Sequence, residues 1–369
     1  MPAPATVLTR RDLNRALLAR QQLLSREART VVAALEAVGG LQAQLPRPPF
    51  IGLWSRLRGF DREALIEALS ARTVVRVTAM RGTLHLLSAR DYLAWRGALQ
   101  PGLTRGLRTI AGAALNDMDL SAAEAETRTF LGKTPATFDA IRDHLETRFR
   151  DVNIRQLAYA LRLTLPLVQV PEAAATWGYP GAACFALADR WLKKKVSTAP
   201  VSPAAVVRRY LASFGPASVA DAQTWSGLPT LAPVFDELRG ELVTFRDERK
   251  RELFDVPEGP RPEGDTAAPV RFVPDWDNVL LGHQDRSRVI ADEHRARIST
   301  RNLQILASFL VDGMVAGSWS IARKGKAATL AMEPFVKISK KDRAALQEEA
   351  EALLSFAEPD SKTRNLVIS

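Results

Sequence analysis

Cysteine is almost missing from this chain: Cys184 stands alone in 369 residues. That excludes a disulfide framework and a multi-cysteine zinc site, and it fits a reducing cytoplasm. Histidine is scarce as well. His85, His144, His283 and His294 lack close metal-ligand spacing, and each reads first as a structural or surface group. No apolar run is long enough to span a bilayer, and Met1–Leu18 carries Arg10, Arg11 and Arg15 where a signal peptide needs an apolar stretch. No strand–GxGxxG–helix fingerprint occurs. Leu131-Gly132-Lys133-Thr134 imitates a P-loop, but Thr127 replaces its first glycine and Pro135 falls just inside the expected helix.

What is present is globular in character, with 46% hydrophobic and 25% charged residues. The length suggests about two to four domains. The net charge of +10 is unevenly placed. Residues 1–110 contain 17 Arg, no Lys and 7 acidic residues, whereas residues 111–369 balance 34 basic against 34 acidic. Arginine is the better phosphate ligand because its planar fork makes paired hydrogen bonds, so a polyanion is the first partner to consider. A GC-rich genome explains the missing lysines but not the asymmetry.

Periodicity suggests two or three helices followed by a β-hairpin, three times over. In the first repeat Leu13 and Leu17 mark one helix, Val31, Leu35 and Val38 a second, and Leu65, Ile66 and Leu69 a third capped by Asp61. Extended runs follow at Val74–Val77 and Thr83–Leu87. The second repeat has Phe138, Ile141 and Leu145 on one helix, Asn153 capping the next, then runs at Leu165–Val170 and Ala183–Leu187. The third is clearest: a helix from Ser202-Pro203, a short helix capped by Ser218, the turn Ser226-Gly227-Leu228-Pro229, another helix, then a hairpin. Helix, helix, turn, helix, hairpin is a winged helix. The expected fold class is α+β: three tandem winged-helix units (residues 8–110, 111–200 and 201–257) plus a C-terminal mixed β domain (258–369) that opens with a Pro- and Gly-rich linker. In that last domain strands are expected at Val270–Val273, Val279–Leu281, Leu306–Val311, Val315–Ile321 and Ala328–Met332, with Arg323-Lys324-Gly325-Lys326 at a basic hairpin tip and a final helix through Leu346 and Leu353.

The rest of the chain is organised around Gly39-Gly40-Leu41-Gln42-Ala43-Gln44-Leu45-Pro46. Two glycines end a helix, and Pro46, Pro48 and Pro49 are expected to stop another from forming at once. In the extended stretch between, Gln42 and Gln44 point the same way and present two neutral amides to one small volume. On its own a Gln-x-Gln pair is ordinary. Arg81-Gly82-Thr83-Leu84-His85 reads either as a tight turn with an exposed arginine or as a clamp on a nucleic-acid backbone. The stretch Trp276–Arg288 is either a DNA-facing loop or an internal salt-bridge knot, the knot being favoured. Lys193-Lys194-Lys195 reads as a solvated run.

Gly40-Leu41-Gln42-Ala43-Gln44, Arg81-Gly82-Thr83-Leu84-His85 and Leu280-Leu281-Gly282-His283-Gln284-Asp285-Arg286, in that order, resemble the AlkZ/YcaQ-like DNA glycosylases, from about Leu13 to the C-terminal β region. Gln42-Ala43-Gln44 matches the double-glutamine form of the family's catalytic signature, with Ala43 smaller than the usual aliphatic residue. That form is associated with self-resistance to azinomycin. The resemblance implies a glycosylase that hydrolyses the N-glycosidic bond of N7-alkylguanine and unhooks interstrand crosslinks, with Gln42 and Gln44 catalytic; with no activated lysine near the motif, it is expected to be monofunctional. The resemblance also implies duplex DNA carrying alkylated or crosslinked guanine as the partner and no metal or organic cofactor; nothing in the sequence marks a dimer helix, and a monomer is expected. Arg47, Arg81, His85, Arg286, Arg288 and Lys324 are the expected DNA contacts. The competing expectation is a non-catalytic winged-helix protein, either a regulator or one that sequesters the drug. A metal-dependent nuclease lacks the necessary acidic cluster.

Overall fold

The computed structural model describes residues 6–112, 118–300 and 304–369. A short strand β1 (Val7–Leu8) and helix α1 (Arg10–Arg20) come first. The first repeat comprises α2 (Val31–Val38), β2 (Leu41–Gln42), α3 (Pro48–Arg56), α4 (Arg62–Ser70), β3 (Val74–Thr78) and β4 (Leu84–Ser88). The long α5 (Ala89–Ala111) leads to the second: α6 (Leu120–Leu131), β5 (Ala136–Thr137), α7 (Phe138–Glu146), α8 (Ile154–Thr164), β6 (Leu167–Gln169) and β7 (Cys184–Leu187). After α9 (Ala188–Leu192), the third has α10 (Ala204–Phe214), α11 (Val219–Ser226), α12 (Ala232–Leu238), β8 (Val243–Asp247) and β9 (Glu252–Asp255). There an Ala217–Phe254 bridge replaces the short first strand. The rest is β10 (Arg271–Val273), α13 (Asn278–Leu281), α14 (Arg295–Ile298), β11 (Ser308–Val311), β12 (Met314–Lys324), β13 (Ala327–Pro334), α15 (Lys340–Ala357) and β14 (Thr363–Ile368). Helix, short strand, two helices and a two-stranded wing thus recur three times, followed by a five-stranded sheet β10-β11-β12-β13-β14 with α15 packed on it. The fold is α+β: three tandem winged helices and a C-terminal mixed β domain.

Local chemistry sets the element boundaries. Thr30, Asp61, Asn153, Ser218 and Ser339 each accept a backbone N–H at a helix start. Ser218 and Asp221 complete a reciprocal capping box. Gly132 follows α6 rather than opening a helix, so Leu131–Thr134 has no phosphate-loop geometry.

Three elements depart from expectation. Pro48 and Pro49 do not block a helix but begin α3, because the first turn needs no N–H from them. Val279–Leu281 is not a strand. Asp277 caps it, and it winds as the single turn α13. The helix carrying Leu13 and Leu17 packs on α10 of the third repeat, and β1 pairs in parallel with β8.

The wings of the first two repeats merge into one sheet, ordered β2-β4-β3-β6-β7-β5. One apolar cluster runs from Leu17 through Val77, Trp95, Phe214, Trp225 and Phe254 to Leu280 and Ile290. It joins α1, the first two repeats, the third repeat and the C-terminal segment. The candidate catalytic stretch lies at the edge of the merged sheet, where β2 is the terminal strand.

Candidate active site

Gly39 and Gly40 end α2 with φ of 78° and 80°, and the chain leaves directly into β2. Gln42 lies opposite His85 on β4. The next backbone link is Ala43 N–H to the Leu84 carbonyl at 2.7 Å. Arg76 on β3 donates through Nε to the Ala43 carbonyl at 2.8 Å and through Nη2 to the Gln44 carbonyl at 3.1 Å. Asn278 of α13 donates to the Val38 and Gly40 carbonyls at 2.9 and 2.7 Å. The backbone carrying both glutamines is therefore pinned from three directions.

The two amides differ. Gln42 is 7% exposed, and its Oε1 accepts from Arg81 Nη2 at 2.9 Å. Gln44 is exposed, and its Oε1 receives only a long 3.4 Å contact from the Leu84 N–H. Arg81 is half-buried, donates also to the Trp225 carbonyl at the end of α11, and sits in a left-handed conformation at φ 55°. Burial and nearby Arg286 lower its pKa to about 10. His85 is 2% exposed, and its Nε2 lies 3.5 Å from Arg81 Nη2. Arginine only donates, so Nε2 must accept and Nδ1 must carry the proton that it gives to the Thr83 carbonyl at 3.1 Å. Burial, with the Arg81 charge second, lowers the His85 pKa to about 3, and the ring is neutral.

No carboxylate hydrogen-bonds Gln42, Gln44, Arg76 or Arg81 among the described residues, and Arg76, Arg81 and Arg286 form no ion pair there. Burial lowers the Arg76 pKa to about 10. The site is thus built of neutral amides with cationic backing, a combination that holds water or a neutral leaving group but offers no strong base.

The sequence-predicted contacts separate into two groups. Gln42, Arg81 and His85 come together as one network. Lys324 is exposed at the β12–β13 tip, and Arg286 is half-buried. Arg47 is held by Glu358 at 3.3 Å, a carboxylate that also meets Arg323 at 3.5 Å and so joins the glutamine loop to the β12–β13 hairpin. His85 and Arg288, expected to face nucleic acid, are both buried. Arg288, 3% exposed, donates to the Pro216 carbonyl at 3.1 Å. The stretch 276–288 is the internal knot. Asp277 takes both arms of Arg56 at 2.8 Å with neither side chain exposed, Asp285 binds Arg249 and Arg251, and His283 meets the Phe214 carbonyl. Sequence reasoning missed Arg76. Its signal was a lone arginine in the apolar run Val74-Val75-Arg76-Val77, a charge that a buried strand keeps only when it has partners.

Three winged helices, a basic hairpin and an amide site at a sheet edge define a protein built to work on DNA. The fold matches the Streptomyces sahachiroi DNA glycosylase AlkZ with a TM-score of 0.80 and 21% identity, covering 99% of this chain and 100% of that one. The chain also resembles the interstrand DNA cross-link repair glycosylase of Streptomyces sahachiroi, at 26% identity over 365 residues, 88% of this chain and 91% of the relative. Residues 35–356 match the family described as DNA glycosylase AlkZ-like. The chain belongs to the AlkZ-like DNA glycosylases, and it is an enzyme acting on DNA.

Proposed function

We propose that this enzyme releases N7-alkylguanine from duplex DNA, unhooks interstrand crosslinks made through that atom, and protects its host from an alkylating natural product. One observation carries the reading: Gln42 and Gln44 stand two residues apart, and among the described residues no carboxylate hydrogen-bonds either amide. Alkylation at N7 makes guanine cationic. When C1′–N9 breaks, the electron pair returns to the base and leaves it neutral, so no general acid is needed. A water oxygen bonds to C1′, and its proton passes to solvent. Two amides suffice to hold that water and the departing base in line. Departure of an unmodified purine needs stronger help, and undamaged DNA is spared. No lysine stands in the glutamine stretch to form a Schiff base, so the product is an abasic site. Lys324 and Arg286 supply contacts to the DNA backbone.

The test is a duplex carrying one N7-methylguanine, treated with hot alkali after incubation. Wild type cuts only after alkali, and Gln42→Ala/Gln44→Ala gives no cut. Binding without base release from this duplex and from a crosslinked one overturns the reading.

A further inference from the structure

Arg81 is costly to keep where it stands. It is a non-glycine residue at φ 55°, it carries a charge that no carboxylate answers among the described residues, and its neighbour Arg286 has the same sign. Such backbone outliers persist only where their surroundings over-determine them, and they gather at functional sites. Here the surroundings are specific. Gly227, at the end of α11, approaches so closely that a Cβ there would lie 3.0 Å from both Cα and N of Arg81. The Trp225 carbonyl takes one arm of the guanidinium, and His85 Nε2 lies beside the other. What this cage delivers is a donor 2.9 Å from Gln42 Oε1. Because arginine cannot accept, the contact fixes which way the Gln42 amide faces. Its Nε2 has no partner among the described residues and is not sealed from solvent.

We propose that Arg81 is a positioning residue for base excision. It holds the Gln42 carbonyl inward so that Gln42 serves as a hydrogen-bond donor to the departing base, while the loosely held Gln44 accepts from the attacking water. The inference rests on the glycosylase reading above and divides its labour. As C1′–N9 breaks, electron density rises on the base nitrogens, and a fixed N–H aimed at them is worth more in the transition state than before it. The guanidinium polarises the amide and strengthens that donor. Gln44, exposed and held by one long contact, keeps the freedom to turn its oxygen towards water. Arg81 joins the first winged helix to the third at this point, so the two units set the reactive geometry together.

Arg81→Gly, Gln42→Ala and the double variant decide the matter, read by single-turnover excision of N7-methylguanine at saturating enzyme and by duplex affinity. Glycine suits the left-handed backbone, so Arg81→Gly removes the side chain without adding strain. Arg81→Gly should slow excision about a hundredfold with affinity within about twofold. The double variant should be no slower than Gln42→Ala alone, and millimolar guanidinium should restore part of the Arg81→Gly rate but none of the double variant's. Multiplying defects, or weaker binding with an unchanged saturating rate, overturns the proposal and makes Arg81 a direct DNA ligand. A separate measurement needs no activity. Arg81→Gly should lower the melting temperature further in a Gln42→Glu background than in wild type, because the introduced carboxylate would pair with the guanidinium. Equal shifts in the two backgrounds deny the contact. If wild type releases no base from methylated or crosslinked duplexes, the glycosylase reading falls, and the melting comparison still judges the contact between positions 42 and 81.

Discussion

Gln42 ends β2 and Gln44 follows two residues later in a bend, and their surroundings treat them differently. One is buried and tied to a guanidinium, and the other is exposed and loosely held. Nothing in this network titrates near neutrality, since the His85 pKa lies at about 3 and that of Arg81 at about 10. The excision rate should therefore stay level from about pH 5.5 to 8.5, whereas a carboxylate base would give an acid limb. Stability behaves differently. His85 and His283 are both held at about 3 in the fold, well below the ordinary value near 6.5. Between those values the unfolded chain binds protons that the folded one refuses, so stability is full above about pH 6.5 and is lost as pH falls towards 3. Melting temperatures followed from pH 7 to 4 should fall, and His85→Gln should flatten part of that fall. The imidazole itself was visible in the sequence; that it is buried and neutral was not.

At the level of elements, the glutamine stretch depends on a turn with no spare room. Gly40 has φ 80°, and a Cβ there would lie 2.4 Å from Leu87 Cδ2 and 2.9 Å from the Leu86 carbonyl. Gly40→Ala should cost about 1–3 kcal/mol in urea unfolding and should also slow excision, because β2 must shift away from β4. The glycine pair, the caps at Asp61, Asn153 and Ser218, and the paired extended runs were all legible from local sequence, because each is decided by chemistry within a few residues. Helix α3 was not. Three prolines read as brakes, and only the position of Pro48 and Pro49 in the first turn makes them helix starters. Val279–Leu281 misled for a related reason: an apolar run of that length suits a strand or a buried helical turn equally.

At the scale of the whole molecule, the basic N-terminal segment has two uses. Arg11 and Arg15 bind Asp312, Arg20 binds Asp255, Arg26 binds Glu349, Arg47 binds Glu358, and Arg56 binds Asp277. Part of the charge that suggested a polyanion thus holds the first segment to the third repeat and the C-terminal domain, while the amide site keeps arginines that no acid among the described residues neutralises. The exposed Lys324 is a different case. If the β12–β13 tip meets a phosphate, Lys324→Ala should weaken duplex binding across sequences and reduce the slope of log affinity against log salt by about 1. Titrations between low and physiological salt would measure it.

By itself, the sequence determined the repeated order of helices and hairpins and the glycine turn before Gln42. These follow from periodicity, capping and backbone preference, which act over a few residues. Only the tertiary structure decided that two wings share one sheet, that α1 packs with the third repeat, and that Arg81 bridges Gln42 to the Trp225 carbonyl beside a buried His85. Those outcomes depend on which distant surfaces bury one another and on where an uncompensated charge can be enclosed. No local pattern encodes either.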